Sequence, residues 1–270
     1  MERIWSIQYL RAIAALFVVA FHSLGGRAQD FSIGAGGVDI FFVISGFIMA
    51  SLMLGAESKP GTFLWRRIIR IIPLYWATTF LVFAVARIKP AFLHNTDTSF
   101  DGLARSLAFI PYKTADEATI APVLPQGWTL DYEMVFYFLC AAALCLQAAH
   151  RLKIICAALI GFAGFGTLFP HLDWFLYADS AQLLLEFVGG IVLAAMWRRK
   201  VAVSAWIGVA MLVAGWGILA GEHFGYVAMP DIRVIKWGVP AFLIVGGALS
   251  LEATRHLPRW RFGALLGDAS

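Results

Sequence analysis

The chain has 270 residues and a formal net charge of +4; 60% of its residues are hydrophobic and only 14% are charged. Soluble domains average about 45–50% apolar and about 25% charged residues, so this composition excludes a soluble domain and indicates a membrane protein with several spans. The basic residues fall in short clusters between apolar runs, which is typical of membrane topology and not of nucleic-acid binding. Cys140, Cys145 and Cys156 lie in apolar segments without metal-ligand or disulfide spacing, so we expect no metal site.

Apolar runs of about 17–25 residues, the length that crosses a bilayer, predict an all-α polytopic bundle with about eight complete spans. The predicted helices lie near residues 7–24, 38–54, 71–88, 128–148, 152–169, 181–197, 203–220 and 237–251. A ninth run begins near Phe262 and stops at Ser270, before it is long enough to span. We therefore expect a single transmembrane domain over residues 1–270 that lacks its last one or two helices.

The distribution of Lys and Arg between the runs predicts the orientation. The second, fourth, sixth and eighth loops are basic, whereas the odd loops, including the long third loop over about 89–127, are poorer in Lys and Arg or mixed. Basic loops stay in the cytoplasm, so the N-terminus is predicted to be cytoplasmic. This topology places Arg11 toward the cytoplasmic side of the membrane and His22 and Asp39 toward the outer side.

The first predicted helix carries Arg11 and His22 inside an apolar run. At about 100° per residue, the steps between them come to just over three turns, so both side chains share one helix face, with Gln8 near the same stripe. A cation in a membrane helix costs at least about 2.5 kcal/mol and normally faces a partner or a wet cavity. Each residue alone could be interfacial, with Arg11 snorkelling to the surface, but the pair on one stripe favours a functional site.

The run FLWRRIIRIIPLYW, over residues 63–76, places Arg66 and Arg70 one helical turn apart with Arg67 beside them. Pro73 is expected to end or kink the helix that precedes it. One interpretation is a cytoplasmic anchor of basic residues flanked by interfacial aromatic residues. The other is an anion site, since arginine binds phosphate in bidentate fashion.

The run GWTLDYEMVFYF, over residues 127–138, brings two acidic residues into the first turns of the fourth predicted span. Asp131 and Glu133 are about 200° apart and cannot both face one partner, whereas Thr129, Glu133 and Tyr137 share a stripe. The helix dipole favours an acidic residue at the position of Asp131. Glu133 lies deeper, where it could pair with a cation or hold a histidine in its productive tautomer.

The run GVDIFFVISGF, over residues 37–47, begins the second predicted span with Asp39 near its start. Ser45 and Gly46 lie within the same span. Small residues in a membrane helix most often mark close packing against another helix, and we favour that interpretation for these two residues.

Taken together, and in their order along the chain, the motifs resemble those of membrane acyltransferase family 3. The residues that carry the resemblance are Arg11 and His22 (Arg, ten residues, His), Phe41, Phe42, Ser45, Gly46 and Phe47 (FFxxSGF), Arg70, Ile71, Pro73, Tyr75 and Trp76 (RIxPxYW), and Trp128, Thr129, Leu130, Glu133, Phe136 and Tyr137 (W-[ST]-L-x-x-E-x-x-F-Y). The closing LLGDAS looks like the start of the family's LGDxSYxxYLxH segment. The openings IQYLRAIAAL and GWTLDYEMVFY look most similar to the branch that O-acetylates succinoglycan-type exopolysaccharide.

The resemblance implies transfer of an acyl group, usually acetyl, from acetyl-CoA as co-substrate to a carbohydrate hydroxyl, without a tightly bound cofactor. His22 would be the general base near neutral pH, with Glu133 or Asp39 orienting it. Arg11 is expected to be catalytic together with His22 and Glu133, and also to help hold the acyl donor. The other residues expected on the acyl donor are Arg66, Arg67, Arg70 and Tyr75. The residues expected to support the site are Asp39, Ser45, Trp128 and Asp131.

The expected setting is the bacterial cytoplasmic (inner) membrane, with membrane lipids around the bundle. The expected acceptor is a carbohydrate that is free or lipid-linked. The sequence does not predict the oligomeric state. A secondary transporter or flippase for a sugar or lipid-linked glycan would also bury Arg and His in a helix bundle. Transporters often contain two related halves, but no second segment of this chain echoes Arg11 and His22. A structural or regulatory subunit would not need these polar residues, so the acyltransferase is the favoured interpretation.

Overall fold

The computed structural model describes residues 3–24, 31–55, 59–93, 96–112, 121–169, 178–201, 203–258 and 266–267. All regular secondary structure in these residues is helical. The α-helices are α1 (Trp5–Ser23), α2 (Gly36–Leu54), α3 (Pro60–Ile88), α4 (Phe100–Leu107), α5 (Trp128–Leu144), α6 (Ala148–Leu168), α7 (Leu184–Arg198), α8 (Ala205–His223) and α9 (Val239–Ala253). Among the described residues, seven helical segments are long and apolar enough to cross a membrane, so the predicted polytopic helical architecture is confirmed.

The fourth predicted span is α5, which is shorter than the sequence indicated and is not among these seven segments. It contains 17 residues and ends at Leu144 instead of continuing to residue 148. At about 1.5 Å per residue it measures roughly 25 Å, the lower limit for crossing a bilayer. The Arg151 guanidinium donates to the carbonyls of Leu144 and Leu146, at 3.2 and 3.0 Å, so a basic side chain from α6 satisfies the carbonyl groups at the end of α5.

The predicted ninth run lies mostly outside the described residues. Of its positions, residues 266–267 are described, and they are helical. Gly267 is buried against α1, where a Cβ atom would lie only 2.0 Å from the Gln8 carbonyl oxygen. A glycine is therefore required at this position of the LLGDAS segment, because any side chain would push the backbone away from α1.

The chain divides into two compact units. Unit 1 comprises Met1–Ala56 and Gln182–Ser270, and unit 2 comprises Glu57–Ala181. In unit 1, the segment Phe31–Leu54, which contains α2, is the most enclosed. Of the residues in its apolar stretch 61% are buried, against 17% in α8. An α-helix that is hydrophobic on all sides belongs in a core, whereas the exposed apolar side chains of α8 suit contact with lipid.

Close packing of α2 against α7 depends on two glycines that face each other. A Cβ atom at Gly46 would lie 2.3 Å from the carbonyl oxygen of Phe187, and one at Gly190 would lie 2.0 Å from that of Val43. Small residues let membrane helices approach until their backbones touch. Gly46 therefore has the packing role that the sequence suggested.

The start of α1 is held by a carboxylate from α9. Glu252 accepts hydrogen bonds from the backbone N–H groups of Trp5 and Ser6, both at 2.8 Å, and from the Ser6 hydroxyl at 2.5 Å. No side chain of α1 itself caps this end. Glu252 thus supplies the N-terminal cap from 246 residues further along the chain, where the helix dipole also favours negative charge.

In unit 2, α3 corrects one expectation from the sequence. The helix begins at Pro60 and runs unbroken to Ile88, so Pro73 lies inside it and does not end it. Proline lacks an N–H group and leaves the carbonyl four residues earlier without its helical partner, a loss that transmembrane helices tolerate. The arginines that the sequence assigned to the second loop are therefore residues of a long helix.

The third predicted loop contains the short helix α4, which packs along α3. Ser99 caps its start by accepting from the Gly102 N–H at 2.9 Å. The last carbonyls of α4 are satisfied by α3, because the Tyr75 hydroxyl donates to the Ser106 carbonyl at 3.1 Å and the Trp76 indole donates to the Leu107 carbonyl at 3.0 Å. Two aromatic residues of the RIxPxYW segment thus hold the loop against the helix.

Candidate functional site

The structure places Arg11 and His22 on the predicted helix α1. Arg11 is buried, with 8% of its surface exposed, whereas the His22 side chain is exposed. The Arg11 guanidinium makes a long contact of 3.4 Å with the Gln8 side-chain oxygen, which agrees with the predicted stripe. At about 1.5 Å per residue, the two ionisable groups are roughly 16 Å apart along the helix axis.

The His22 ring is oriented by the helix that carries it. Its Nδ1 atom lies 2.8 Å from the Val18 carbonyl oxygen. A carbonyl oxygen can only accept, so this hydrogen bond places the proton of the neutral ring on Nδ1 and leaves Nε2 with a lone pair. His22 can therefore act as a base through Nε2 without a carboxylate to select its tautomer.

Glycine contacts fix the register of α2 and the residues before it against α1. Gly34 lies against the Phe17 carbonyl oxygen and Gly37 lies against that of Ala14, and in each case a Cβ atom would be 2.6 Å from the oxygen. Residue numbers rise along one segment as they fall along the other. The two segments are therefore antiparallel.

This register sets the heights of the predicted supporting residues of α2 relative to α1, while Asp39 itself is about 200° round α2 from Gly37, on the side that packs against α7. Counted from the Gly37–Ala14 contact at about 1.5 Å per residue, Asp39 is roughly 2 Å from the height of Arg11 and roughly 15 Å from that of His22. Ser45 is at about the height of Ser6. Asp39 is thus near the height of Arg11, and a direct role for Asp39 or Ser45 stays a prediction.

Asp39 belongs to a buried cluster, which we call the acid–arginine triad: Asp39, Glu186 and Arg233. Asp39 is fully buried and its Oδ2 atom accepts from the Arg233 guanidinium at 3.0 Å. Glu186 on α7 is 2% exposed and interacts with both other members. The triad joins α2, α7 and the residue before the π-helix Val234–Gly238, a type of element often found at functional sites.

Sequence reasoning missed the triad because its members are far apart in the chain. Arg233 falls in the predicted seventh loop, between the spans near 203–220 and 237–251, and Glu186 was not singled out. The available signal was a glutamate within an apolar predicted span, which by default marks a functional site. Polar contacts nearby in unit 1 are Ser32 with His223 at 3.0 Å and Lys236 with Glu222 at 2.7 Å.

In unit 2, the three predicted phosphate-binding arginines occupy the first half of α3. Arg66 and Arg70 are exposed, whereas Arg67 is half-buried and its Nε atom has no hydrogen-bond partner within the described part of the chain. Three guanidinium groups within two turns of a membrane helix are costly unless they bind an anion or reach water. α3 has 29 residues, roughly 43 Å, and is longer than a hydrocarbon core, so both the anchor and the anion site stay predictions for these arginines.

The register of α5 against α3 follows from two contacts. Val123 packs in a buried cluster with Phe83, and Gly127 lies against Tyr75, where a Cβ atom would be 2.6 Å from the ring. The chain therefore descends along α3 before α5 begins, and α5, which packs on α3, continues in that direction. The two helices run antiparallel, with the start of α5 near the middle of α3.

Counting residues from the Gly127–Tyr75 contact places Glu133 at about the height of Arg70, and Tyr137 at about the height of Arg66. Glu133 accepts a hydrogen bond from the Tyr137 hydroxyl, which confirms that these two residues share a stripe. Glu133 therefore lies at the depth of the arginines of its own unit.

The remaining predicted residues of unit 2 are part of its packing. The Tyr75 side chain is buried between α4 and the start of α5, and its hydroxyl hydrogen-bonds to Ser106. Trp128 makes an edge-on contact with Tyr132, with ring centroids 6.0 Å apart, and Asp131 is 3% exposed. Tyr75 and Trp128 thus contribute to the packing of unit 2, and Asp131 is buried within it. The roles of all three residues in binding stay predictions.

A multi-helix membrane protein with a buried arginine, a base-competent histidine and an arginine cluster at one end of a membrane-length helix has the features of a membrane-embedded transferase. The chain belongs to acyltransferase family 3, whose model, described as an acyltransferase domain, matches residues 4–265. The membrane acyltransferase class that the motifs indicated is therefore confirmed. The site residues were assigned from motif resemblance and stay predictions.

Three relatives show which proteins the chain is similar to. It is 32% identical over 250 residues to "Exopolysaccharide production protein ExoZ" of Rhizobium meliloti (strain 1021), covering 93% of this chain and 77% of that protein. It is 26% identical over 263 residues to "Putative membrane-bound transacylase BcsY" of Komagataeibacter xylinus, covering 86% of this chain and 66% of that protein. It is 35% identical over 78 residues to "Protein 2 in picA locus" of Rhizobium radiobacter, covering 27% of this chain and 41% of that protein. No solved structure matches the chain significantly.

Proposed function

We propose that the protein transfers an acyl group, acetyl by default, from acyl-CoA to a hydroxyl of a surface or exopolysaccharide sugar in the bacterial cytoplasmic membrane. The observation that carries this proposal is the His22 hydrogen bond to Val18, which leaves Nε2 free to accept a proton in a family of acyltransferases. The similarity to an exopolysaccharide production protein supports the choice of acceptor.

The chemistry needs one base and one good leaving group. Nε2 of His22 takes the proton of the sugar hydroxyl as its oxygen attacks the thioester carbonyl carbon. The carbon–sulfur bond then breaks, and the CoA thiolate leaves and takes up the proton from the imidazolium. The products are a sugar ester and free CoA, and the histidine returns to its neutral state.

The arginines of α3 are proposed to bind the CoA phosphates. Arg67 supports this role, because its buried Nε atom is a donor without a partner within the described residues. Arginine donors in a fixed fork match phosphate oxygens in bidentate fashion. Arg11, buried on the His22 helix, is proposed to contact the donor nearer the thioester.

The test is mass spectrometry of host exopolysaccharide and surface glycans, with the full-length gene deleted and then restored. We expect an acyl mass to be lost on deletion and rescued by wild type but not by His22→Ala, since a general base contributes about 10²–10⁴-fold. The exposed His150 on α6 provides the matched control, and His150→Ala should rescue fully. Retained acylation with His22→Ala would contradict the base assignment, and an unchanged glycan pattern on deletion would favour the transporter.

A second set of variants tests donor binding. Arg70→Ala should raise KM for acyl-CoA and leave kcat nearly unchanged, because it removes ground-state contacts to the donor. Lys153→Ala on α6, also an exposed basic residue, should change neither constant. If Arg70→Ala altered only the amount of protein in the membrane, Arg70 would be a topological anchor.

A further inference from the structure

The acid–arginine triad contains three oxygen atoms that lack a donor. Asp39 Oδ1 and both carboxyl oxygens of Glu186 are buried without a hydrogen-bond partner within the described residues. A buried, ionised carboxylate without donors costs several kcal/mol. The arrangement of charges or protons in the triad must therefore satisfy these atoms in another way.

The two carboxyl groups lie within hydrogen-bonding reach of each other. The charges that act on Glu186 are those of Asp39 and Arg233. Two ionised carboxylates and one guanidinium would leave a net negative charge in an apolar bundle. One added proton removes that charge and turns one acceptor into a donor for the other carboxyl.

We propose that Asp39 and Glu186 share one proton, carried by Glu186, so that the triad is neutral and Glu186 is a positioning residue for the reaction. The protonated Glu186 donates to Asp39 Oδ1, and Asp39 Oδ2 remains bound to Arg233. With this one proton, both carboxyl oxygens of Asp39 accept a hydrogen bond. The carbonyl oxygen of Glu186 remains without a donor, which costs less because that oxygen is uncharged.

The position of the triad gives the shared proton its role. Asp39 lies on α2 at about the height of Arg11 on α1, as the glycine register shows. Gly238, the last residue of the π-helix, is in contact with Glu186, where a Cβ atom would lie 3.1 Å from Glu186 Cγ. The proton therefore ties α7 and the start of α9 to α2, the helix that packs against α1, which carries Arg11 and His22.

The proposal predicts how many protonated carboxyl groups each variant contains. Infrared difference spectra of the full chain, purified in lipid nanodiscs, detect a protonated carboxyl through its carbonyl stretching band. Relative to wild type, Glu186→Gln should lose one such band. Asp39→Asn should also lose one, because Glu186 would then ionise to pair with Arg233. Arg233→Gln should gain one, since both carboxyls would be neutral, and Arg233→Lys should change nothing.

A carboxyl band that survives Glu186→Gln, or an unchanged band in Arg233→Gln, would overturn the proposal. Acylation supplies the functional test, and only this part depends on the proposed function. Glu186→Gln should retain activity within about twofold, because a glutamine amide donates the same hydrogen bond. A loss beyond tenfold, with normal amounts of folded protein, would mean that Glu186 exchanges its proton during the reaction and is not a positioning residue. If wild type showed no acyl transfer, the proposed function would fail while the band count still stood.

Discussion

Two glutamates in unit 1 have the same side chain and opposite surroundings. Glu252 accepts three hydrogen bonds at the start of α1, and these donors stabilise its negative charge. Glu186 is more deeply buried, and no donor from the described residues reaches its carboxyl oxygens. A buried carboxylate with donors is a structural cap, whereas one without donors must take up a proton or bind something else. The comparison separates an acidic residue that builds the fold from one that acts on the site.

The largest expected effect tests what brings the triad together. Gly190→Ala would place a Cβ atom 2.0 Å from the Val43 carbonyl oxygen and 2.6 Å from the Phe47 nitrogen, both of which are backbone atoms. Because backbone atoms cannot move aside, α2 and α7 must separate, and we expect a loss of more than about 3 kcal/mol, beyond usual overpacking. Gly217→Ala on α8, where nothing lies within 4 Å, is the matched control. Equal melting temperatures for the two variants would show that α2 and α7 do not depend on this close contact.

The next largest effect is expected when both carboxylates that face Arg233 are removed together. Asp39→Asn and Glu186→Gln should each be mild, because either carboxylate can pair with the guanidinium. The double variant leaves that cation without an anion in the triad, and we expect the free energy of unfolding to fall by about 2–3 kcal/mol. This loss is smaller than for a fully buried ion pair because the Arg233 side chain is 23% exposed. Melting temperatures of the four proteins form a double-mutant cycle. Simple additivity of the two single effects would contradict the exchange of roles between Asp39 and Glu186.

Glu252→Ala should have an intermediate effect. It removes three hydrogen bonds and the favourable interaction with the α1 dipole, so we expect a loss of about 2 kcal/mol. Glu252→Gln, which keeps an acceptor, should lose about half as much. Neither variant should change KM for acyl-CoA at equal protein amounts. A changed KM would mean that the start of α1 takes part in donor binding.

The smallest effect is expected at the Lys236–Glu222 ion pair. The two charges are 2.7 Å apart, but both side chains reach solvent, and Glu222 also accepts from the Met229 N–H at 3.0 Å. Exposed ion pairs contribute little, so Lys236→Gln should leave the melting temperature unchanged within error. A clear fall in melting temperature would show that burial is not what separates this pair from the triad.

Helix positions and chemical candidates followed from local sequence, whereas helix limits and partners did not. Residues 7–24 were predicted as a helix and Trp5–Ser23 is one, because a long apolar run must satisfy its backbone internally in a membrane. The early end of α5 depends on Arg151, a residue of the next helix. Pro73 predicted a helix end or a kink, and α3 excludes the end because the helix continues through it.

Apolar run lengths and four ordered motifs are properties of the chain, so they were enough to predict a multi-span membrane acyltransferase. The folded protein was needed to show that Val18 orients His22, that Arg66, Arg67 and Arg70 lie within α3, and that Asp39 meets Arg233 and Glu186. The physical reason is that hydrogen bonds and ion pairs between helices depend on register, which is set by contacts such as those of Gly37 and Gly190 between residues far apart in the chain.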